Sequence, residues 1–272
     1  MWLGPGELRV GLGCMRLSTE PDRDEGRALA TIAAALAAGV TVFDTARAYA
    51  AGEAELGHNE RLLARALAGQ GRARVVSKGG MSRPDGRWVP DGRARALRAD
   101  CEASLEALGG VPIDLYLLHA PDPRTAWATS VRALLALRER GLVPRVGLSG
   151  VNRRLLDEAL ALGPIDAVEV ALGPFDDAAL RGGVVQRCAE LGIPVIAHSV
   201  LGGPARAARL REHPVLAPIA GKHGVGAGEV ALAAALAVDP CVVALAGARR
   251  PDSALRAAAA GRLALDDEDR AA

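Results

Sequence analysis

Gly39-Val40-Thr41-Val42-Phe43-Asp44-Thr45-Ala46-Arg47-Ala48-Tyr49 is the stretch whose reading decides the fold. Its β-branched and aromatic run, bounded by Gly39, reads as a short buried strand. The run ends in a carboxylate, Asp44, and Tyr49 follows closely. Two later apolar runs end in the same manner, 74–77 in Lys78 and 113–118 in His119. In barrels and open sheets of parallel strands, the carboxyl ends of the strands are where ligands bind. Asp44, Tyr49, Lys78 and His119 are therefore candidates for one site.

Outward from this stretch, strand and helix patterns alternate along the whole chain. Strands are expected at 8–13, 40–44, 74–78, 113–118, 144–149, 165–170, 194–197 and 241–246. Helical spacing falls at 24–38, 59–68 (with Asn59 as cap), 94–108, 129–140, 155–162, 178–191, 228–238 and 251–260. With no break in composition, this predicts one α/β domain over 1–272. Its eight parallel strands close into a (β/α)8 TIM barrel. An open doubly wound sheet would want Gly-x-Gly-x-x-Gly after an early strand, and Gly11-Leu12-Gly13 lacks the third glycine. The polar loop 79–92 is long enough to be functional, and the acidic end 266–269 reads as a solvated tail.

Composition narrows the function classes. Basic and acidic residues number 33 and 32, with no basic stripe, which argues against nucleic-acid or membrane-surface binding. No secretory signal and no membrane-length apolar run is present. Cys14, Cys101, Cys188 and Cys241 are scattered, with neither metal-type spacing nor a disulfide framework, and read as free thiols of a reducing cytoplasm. Positive charge is carried almost wholly by arginine; the two lysines are Lys78 and Lys222. A lysine kept at the end of a buried strand is hard to explain as surface charge, since a buried ammonium is costly unless paired.

Together the four groups suit one chemistry. A free phenol titrates near ~10 and is a poor acid at neutral pH. An ammonium at ~4 Å, with an effective dielectric of about 20, favours the phenolate by at most ~4 kcal/mol. A carboxylate behind the lysine fixes it, and a histidine opposite can bond a substrate oxygen. Such a set delivers a proton to a carbonyl oxygen as negative charge grows there. It supplies no electrons, so a reduction needs hydride from a cofactor.

At these residues the chain resembles the aldo-keto reductase family. The matching stretches are Gly11-Leu12-Gly13-Cys14-Met15, Val42-Phe43-Asp44-Thr45-Ala46 with Tyr49, and Gly57-His58-Asn59-Glu60. They continue through Ser77-Lys78-Gly79-Gly80, Leu117-Leu118-His119, Val146-Gly147-Leu148-Ser149, Val195-Ile196-Ala197-His198-Ser199 and Gly247-Ala248-Arg249-Arg250. The resemblance implies a (β/α)8 barrel, NADPH and reversible reduction of an aldehyde or ketone, with no metal. By it, Tyr49 is the acid/base, Lys78 and Asp44 tune it, and His119 orients the carbonyl. It also implies that Cys14, Met15 and Ser149 lie near the nicotinamide. Ser199, Leu201 and Gly202 would hold the pyrophosphate, while Gly247, Arg249 and Arg250 would belong to the segment gripping the 2'-phosphate.

The chain departs from the family pattern around the nicotinamide. Gly150 stands where Asn is usual, Glu169 where a Gln meets the carboxamide, His198 where an aromatic residue stacks, and Val200 where proline is usual. Arg256 and Ala257 replace a Glu-Asn pair at the adenine. These changes keep open a second reading, a catalytically weak NADP(H)-binding sensor or scaffold on the same barrel. A metal-dependent hydrolase is disfavoured, because His58, His119 and His198 show no ligand spacing. The short stretch after the last helix leaves loop 79–92, with Met81 and Trp88, to shape an open substrate pocket.

Overall fold

Side-chain alternation along short strands organises the molecule. In the computed structural model, which describes residues 2–4 and 6–272, the chain runs β1 (Val10–Gly13), α1 (Glu25–Ala37), β2 (Val42–Asp44), α2 (His58–Leu67) and β3 (Arg74–Gly79). A hairpin, β4 (Met81–Ser82) and β5 (Val89–Pro90), precedes α3 (Ala94–Leu108), β6 (Ile113–Leu118), α4 (Trp127–Glu139), β7 (Val146–Ser149) and α5 (Arg153–Leu160). Then come β8 (Ala167–Ala171), α6 (Ala178–Arg181), α7 (Val184–Leu191), β9 (Val195–His198), α8 (Gly203–Arg206) and α9 (Leu216–His223). The chain finishes with α10 (Ala227–Val238), β10 (Val242–Ala246), α11 (Pro251–Ala260) and α12 (Asp267–Ala271).

Eight strands form a closed parallel barrel in the order β1-β10-β9-β8-β7-β6-β3-β2, with β2 returning to β1. Inward residues Val42, Val76, Leu115, Leu117, Ala167, Ile196, Val243 and Leu245 fill the interior, and Leu3 with Trp2 packs with the same cluster. Outward residues such as Phe43, Val75, Tyr116, Val168, Val195 and Ala244 pack in a second, larger cluster with helix residues such as Ile32, Leu63, Leu97 and Leu134. Gly147 shows how tight this interior is: a Cβ there would lie 2.4 Å from the Ala167 carbonyl oxygen.

The eight-unit barrel matches the expectation from sequence, and the differences have local causes. β1 begins at Val10, later than expected. The polar stretch after β3 is pinned by the antiparallel β4–β5 pairing, with Ser82 Oγ donating to the Val89 carbonyl at 3.1 Å. One helix expected over 178–191 is two, broken at Gly182-Gly183. The connection before α10 carries α8, a 3-10 turn and α9.

The acidic end is not a solvated tail. Asp266 and Asp269 form a capping box at the start of α12. Asp269, with its side chain 2% exposed, accepts from Lys222 Nζ at 2.8 Å and lies 2.6 Å from His223 Nε2. Lys222, and after it His223, hold the Asp269 carboxyl well below its usual range. A carboxylate depressed in this way contributes stability above the free carboxyl value of ~4, and the contribution is lost as pH falls through the lower folded value. Asp269→Asn should therefore speed hydrogen exchange of the α12 amides at neutral pH, whereas the wild-type protein should lose that protection only on acidification below ~4.

Candidate active site

The polar layer at the barrel mouth follows from the packing beneath it. Asp44 lies two residues beyond inward Val42, Lys78 beyond Val76, His119 beyond Leu117, Glu169 beyond Ala167 and His198 beyond Ile196. Side chains alternate along a strand, so the residues that fill the barrel also aim these five groups at one another. Backbone bonds continue the alignment past the strands: His119 N donates to the Gly79 carbonyl at 2.9 Å, and Arg47 N to the Lys78 carbonyl at 3.3 Å. A short turn closed by Tyr49 N donating to the Ala46 carbonyl at 3.0 Å brings Tyr49 back over Asp44.

Lys78 is the hub. Its side chain is fully buried and donates to Asp44 Oδ2, to the Thr45 carbonyl at 3.1 Å and to Tyr49 Oη at 3.1 Å. Tyr49 Oη in turn donates to Asp44 Oδ1 at 3.4 Å. The rings of Tyr49 and His119 meet edge-on at 5.7 Å, and Trp88 from the β4–β5 hairpin closes against both, at 6.2 and 5.9 Å. Buried His119 Nδ1 and Glu169 Oε2 have no hydrogen-bond partner within the protein.

Burial governs the electrostatics. It would lower Lys78, but Asp44 and then Glu169 more than reverse this, so the ammonium is held charged. Burial pushes the Tyr49 phenol well above its ordinary value, and the opposing pull of Lys78 does not cancel it. The expectation that Lys78 favours the phenolate thus has the right sign for that pair and loses to desolvation, aided by Asp44 and Glu169. Tyr49 is held protonated. His119 is driven well down by burial and by Lys78, and is neutral. Asp44 rises to about 8, through burial first and Glu169 second.

The mouth opens as a cavity of about 420 Å³ lined by Asp44, Tyr49 and His119 and, among the expected cofactor residues, by Met15, Ser149, Glu169, His198, Ser199, Leu201 and Gly247. Met81 and Trp88 line it as well. Ser199 adopts a left-handed backbone with φ +56, a conformation unusual for a residue other than glycine that concentrates at functional sites. At Leu201, Ala207 and Gly247 the cavity meets a second cleft of about 870 Å³, walled by Gly226, Glu229, Ser253 and Arg256.

Four expected residues sit elsewhere. Cys14 is buried behind the wall with its thiol on the Leu12 carbonyl, and Gly202 is a left-handed turn residue beside Phe175. Arg249 is turned to Asp22 and Glu20, at 2.5 and 3.8 Å, and Arg250 is exposed at the start of α11. Arg16 and Leu245 line the cavity without having been expected there. Leu245 was legible as the inward residue two beyond Val243; Arg16 carried no comparable signal.

Asn59 does not cap α2. Gly57 does, at φ +80, and Asn59 turns inward instead. It accepts from Thr45 Oγ1 at 2.6 Å and donates to the Cys14 carbonyl at 2.9 Å and Ser18 Oγ at 2.7 Å. One amide thus ties the residue after Asp44 to the loop after β1. Among the described residues no group of three or more His, Cys, Asp or Glu side chains could hold a metal ion, and no helix is long and apolar enough to cross a membrane.

A closed parallel barrel with a buried phenol–ammonium–carboxylate chain at its carboxyl mouth defines a class of oxidoreductase barrels. The chain belongs to the aldo/keto reductase family, which it matches over residues 9–272. It is similar to the thermostable aldo-keto reductase Tm1743, solved with the inhibitor epalrestat, at 27% identity and a TM-score of 0.82, covering 97% of this chain and 93% of that one. The glycerol dehydrogenase AKR11B4 from Gluconobacter oxydans is 24% identical, with a TM-score of 0.82 over 97% and 89% of the chains. An aldo/keto reductase from Klebsiella pneumoniae, solved with NADP and acetate, is also 24% identical, with a TM-score of 0.81 over 97% and 89%. At that identity the last two speak for the fold alone.

Asn59→Ala should leave several buried partners unsatisfied and cost about 1–3 kcal/mol per orphaned group. Equilibrium denaturation, with the slope against denaturant unchanged, measures the loss.

Proposed function

We propose that the protein is an NADPH-dependent reductase of a small aldehyde or ketone, with Tyr49 as proton donor, Lys78 and Asp44 positioning and tuning it, and His119 orienting the carbonyl. The observation that carries this reading is the 3.1 Å contact of Tyr49 Oη, on the wall of the cavity, with the fully buried Lys78 behind it. That contact also favours turnover over a purely sensing role.

The cavity fits a dinucleotide. Buried Glu169 Oε2, without a donor of its own, suits the amide N–H of a carboxamide, and Ser149 lies on the same wall. The adjoining cleft would take the adenosine end beside Ser253 and Arg256. Bound there, the cofactor supplies hydride. Met15 and His198 would flank its ring, while the left-handed turn at Ser199 and, beyond it, Leu201 would lie along the phosphates. Arg249 must leave Asp22 to take a 2'-phosphate, and Arg211, Arg256 and Arg262 are cations that line the adjoining cleft.

The protein's own part in the reaction is proton handling. The neutral His119 donates a hydrogen bond to the substrate oxygen without adding charge. Tyr49 gives its proton to that oxygen as negative charge develops, and the Lys78 ammonium stabilises the phenolate left behind. Trp88, 42% exposed on the hairpin, forms the outer wall that bounds substrate size. Four free cysteines, three of them buried, suit a reducing cytoplasm.

NADPH oxidation measured across a panel of aldehydes and ketones tests the reading. Tyr49→Phe should lower kcat by about 10²–10⁴-fold while NADPH binding, followed by fluorescence, is retained. A phenylalanine variant with near-normal turnover would remove Tyr49 from the donor role.

A further inference from the structure

Glu169 is a buried carboxyl that the proton transfer above does not use. Its Oε2 lies 3.3 Å from Lys78 Nζ. An ammonium has three donors, and those of Lys78 are already given to Asp44, the Thr45 carbonyl and Tyr49. Glu169 is therefore close enough to Lys78 to feel its charge, yet receives no hydrogen bond from it.

The charges around this point do not balance. Two carboxylates, Asp44 from β2 and Glu169 from β8, face one ammonium from β3. The other titratable groups around them are the Tyr49 phenol, His119 after β6 and His198 on β9, with the Cys14 thiol behind the wall on the Leu12 carbonyl. Burial keeps the phenol and the thiol protonated, and burial together with Lys78 keeps both imidazoles neutral. All these groups are buried or nearly so. A surplus negative charge in such a place is relieved by taking up a proton.

We propose that Asp44, facing Glu169 across Lys78, stores one proton, and that this proton refills Tyr49 after the phenol has given its own to the substrate. Geometry sets the route: Asp44 touches both Lys78 and, through Oδ1, the Tyr49 hydroxyl. The Tyr49 O–H bond breaks as the O–H bond of the product alcohol forms. The Asp44 O–H bond then breaks as the Tyr49 O–H bond re-forms. Asp44 is left ionised until the solvent returns one proton after the product leaves; no electrons move in these steps. The rise of Asp44 to about 8, with burial and then Glu169 as causes, agrees with a proton held there at neutral pH. An amide at position 169 could hold the same carboxamide but would store nothing, so Glu169 acts here as a positioning residue for the proton.

The idea rests on the reductase reading but is tested apart from it. Infrared titration of the protein without cofactor should show a protonated carboxyl at neutral pH that ionises near 8. Glu169→Gln should abolish this component, and Glu169→Asp, which keeps two carboxyls, should retain it. Glu60, another buried carboxyl near neutrality, contributes equally to every variant and cancels in the differences. In turnover, the fall of kcat for carbonyl reduction above that pH should be lost in Glu169→Gln. An identical carboxyl component in wild type and Glu169→Gln, or none in wild type at neutral pH, overturns the proposal. If Glu169→Gln does not fold, loss of the component in Glu169→Asp does so. A wild-type protein that shows the stored proton but reduces no carbonyl overturns the reductase reading instead.

Discussion

The site depends on one buried ammonium. Lys78 has no exposed surface, and all three of its protons are engaged by protein oxygens. Removing either partner of a buried ion pair costs about 3–5 kcal/mol, because the other charge is stranded. Lys78 and Asp44 are thus mutually dependent, and Tyr49 is located by both. Arginine could not replace this lysine: a planar fork cannot reach a carboxylate, a carbonyl and a phenol from one point. In a chain that otherwise uses arginine, this geometry is a physical reason for the exception.

Desolvation and attraction oppose each other throughout the site, and the balance differs group by group. At Lys78 two carboxylates outweigh burial. At Tyr49 burial outweighs one ammonium. The phenol is therefore held protonated at rest. Neutral His119 fits the same economy, since a second cation beside Lys78 would cost more than the hydrogen bond it strengthened.

Much of this was legible in the sequence because barrel strands are periodic. A polar residue ending an apolar run is automatically at the mouth, which is how Asp44, Lys78 and His119 stood out. The rest depends on distances that the sequence does not encode directly. Glu169 reaches Lys78 because barrel closure sets β8 across from β3, with β7 and β6 between them along the wall. The sign of the Tyr49 shift required knowing how little water surrounds it. Asn59 looked like a cap because asparagine commonly is one; the left-handed Gly57 freed it to bridge two loops. Likewise α12 read as tail because its acidic residues find Lys222 and His223 only after folding.

The two-residue step from packing layer to polar layer has a consequence for how such a protein can change over time. At five places around the barrel, one position packs the interior and the next inward position above it carries a polar group at the mouth. Drift at position 169 or 198 exchanges the chemistry at the rim without repacking the plug of Ala167 and Ile196 beneath. Positions 44 and 78 lack this liberty because Asp44 and Lys78 hold each other and together locate the Tyr49 hydroxyl. A lineage of this barrel could therefore explore new reactions on one side of its mouth while the opposite side stays locked.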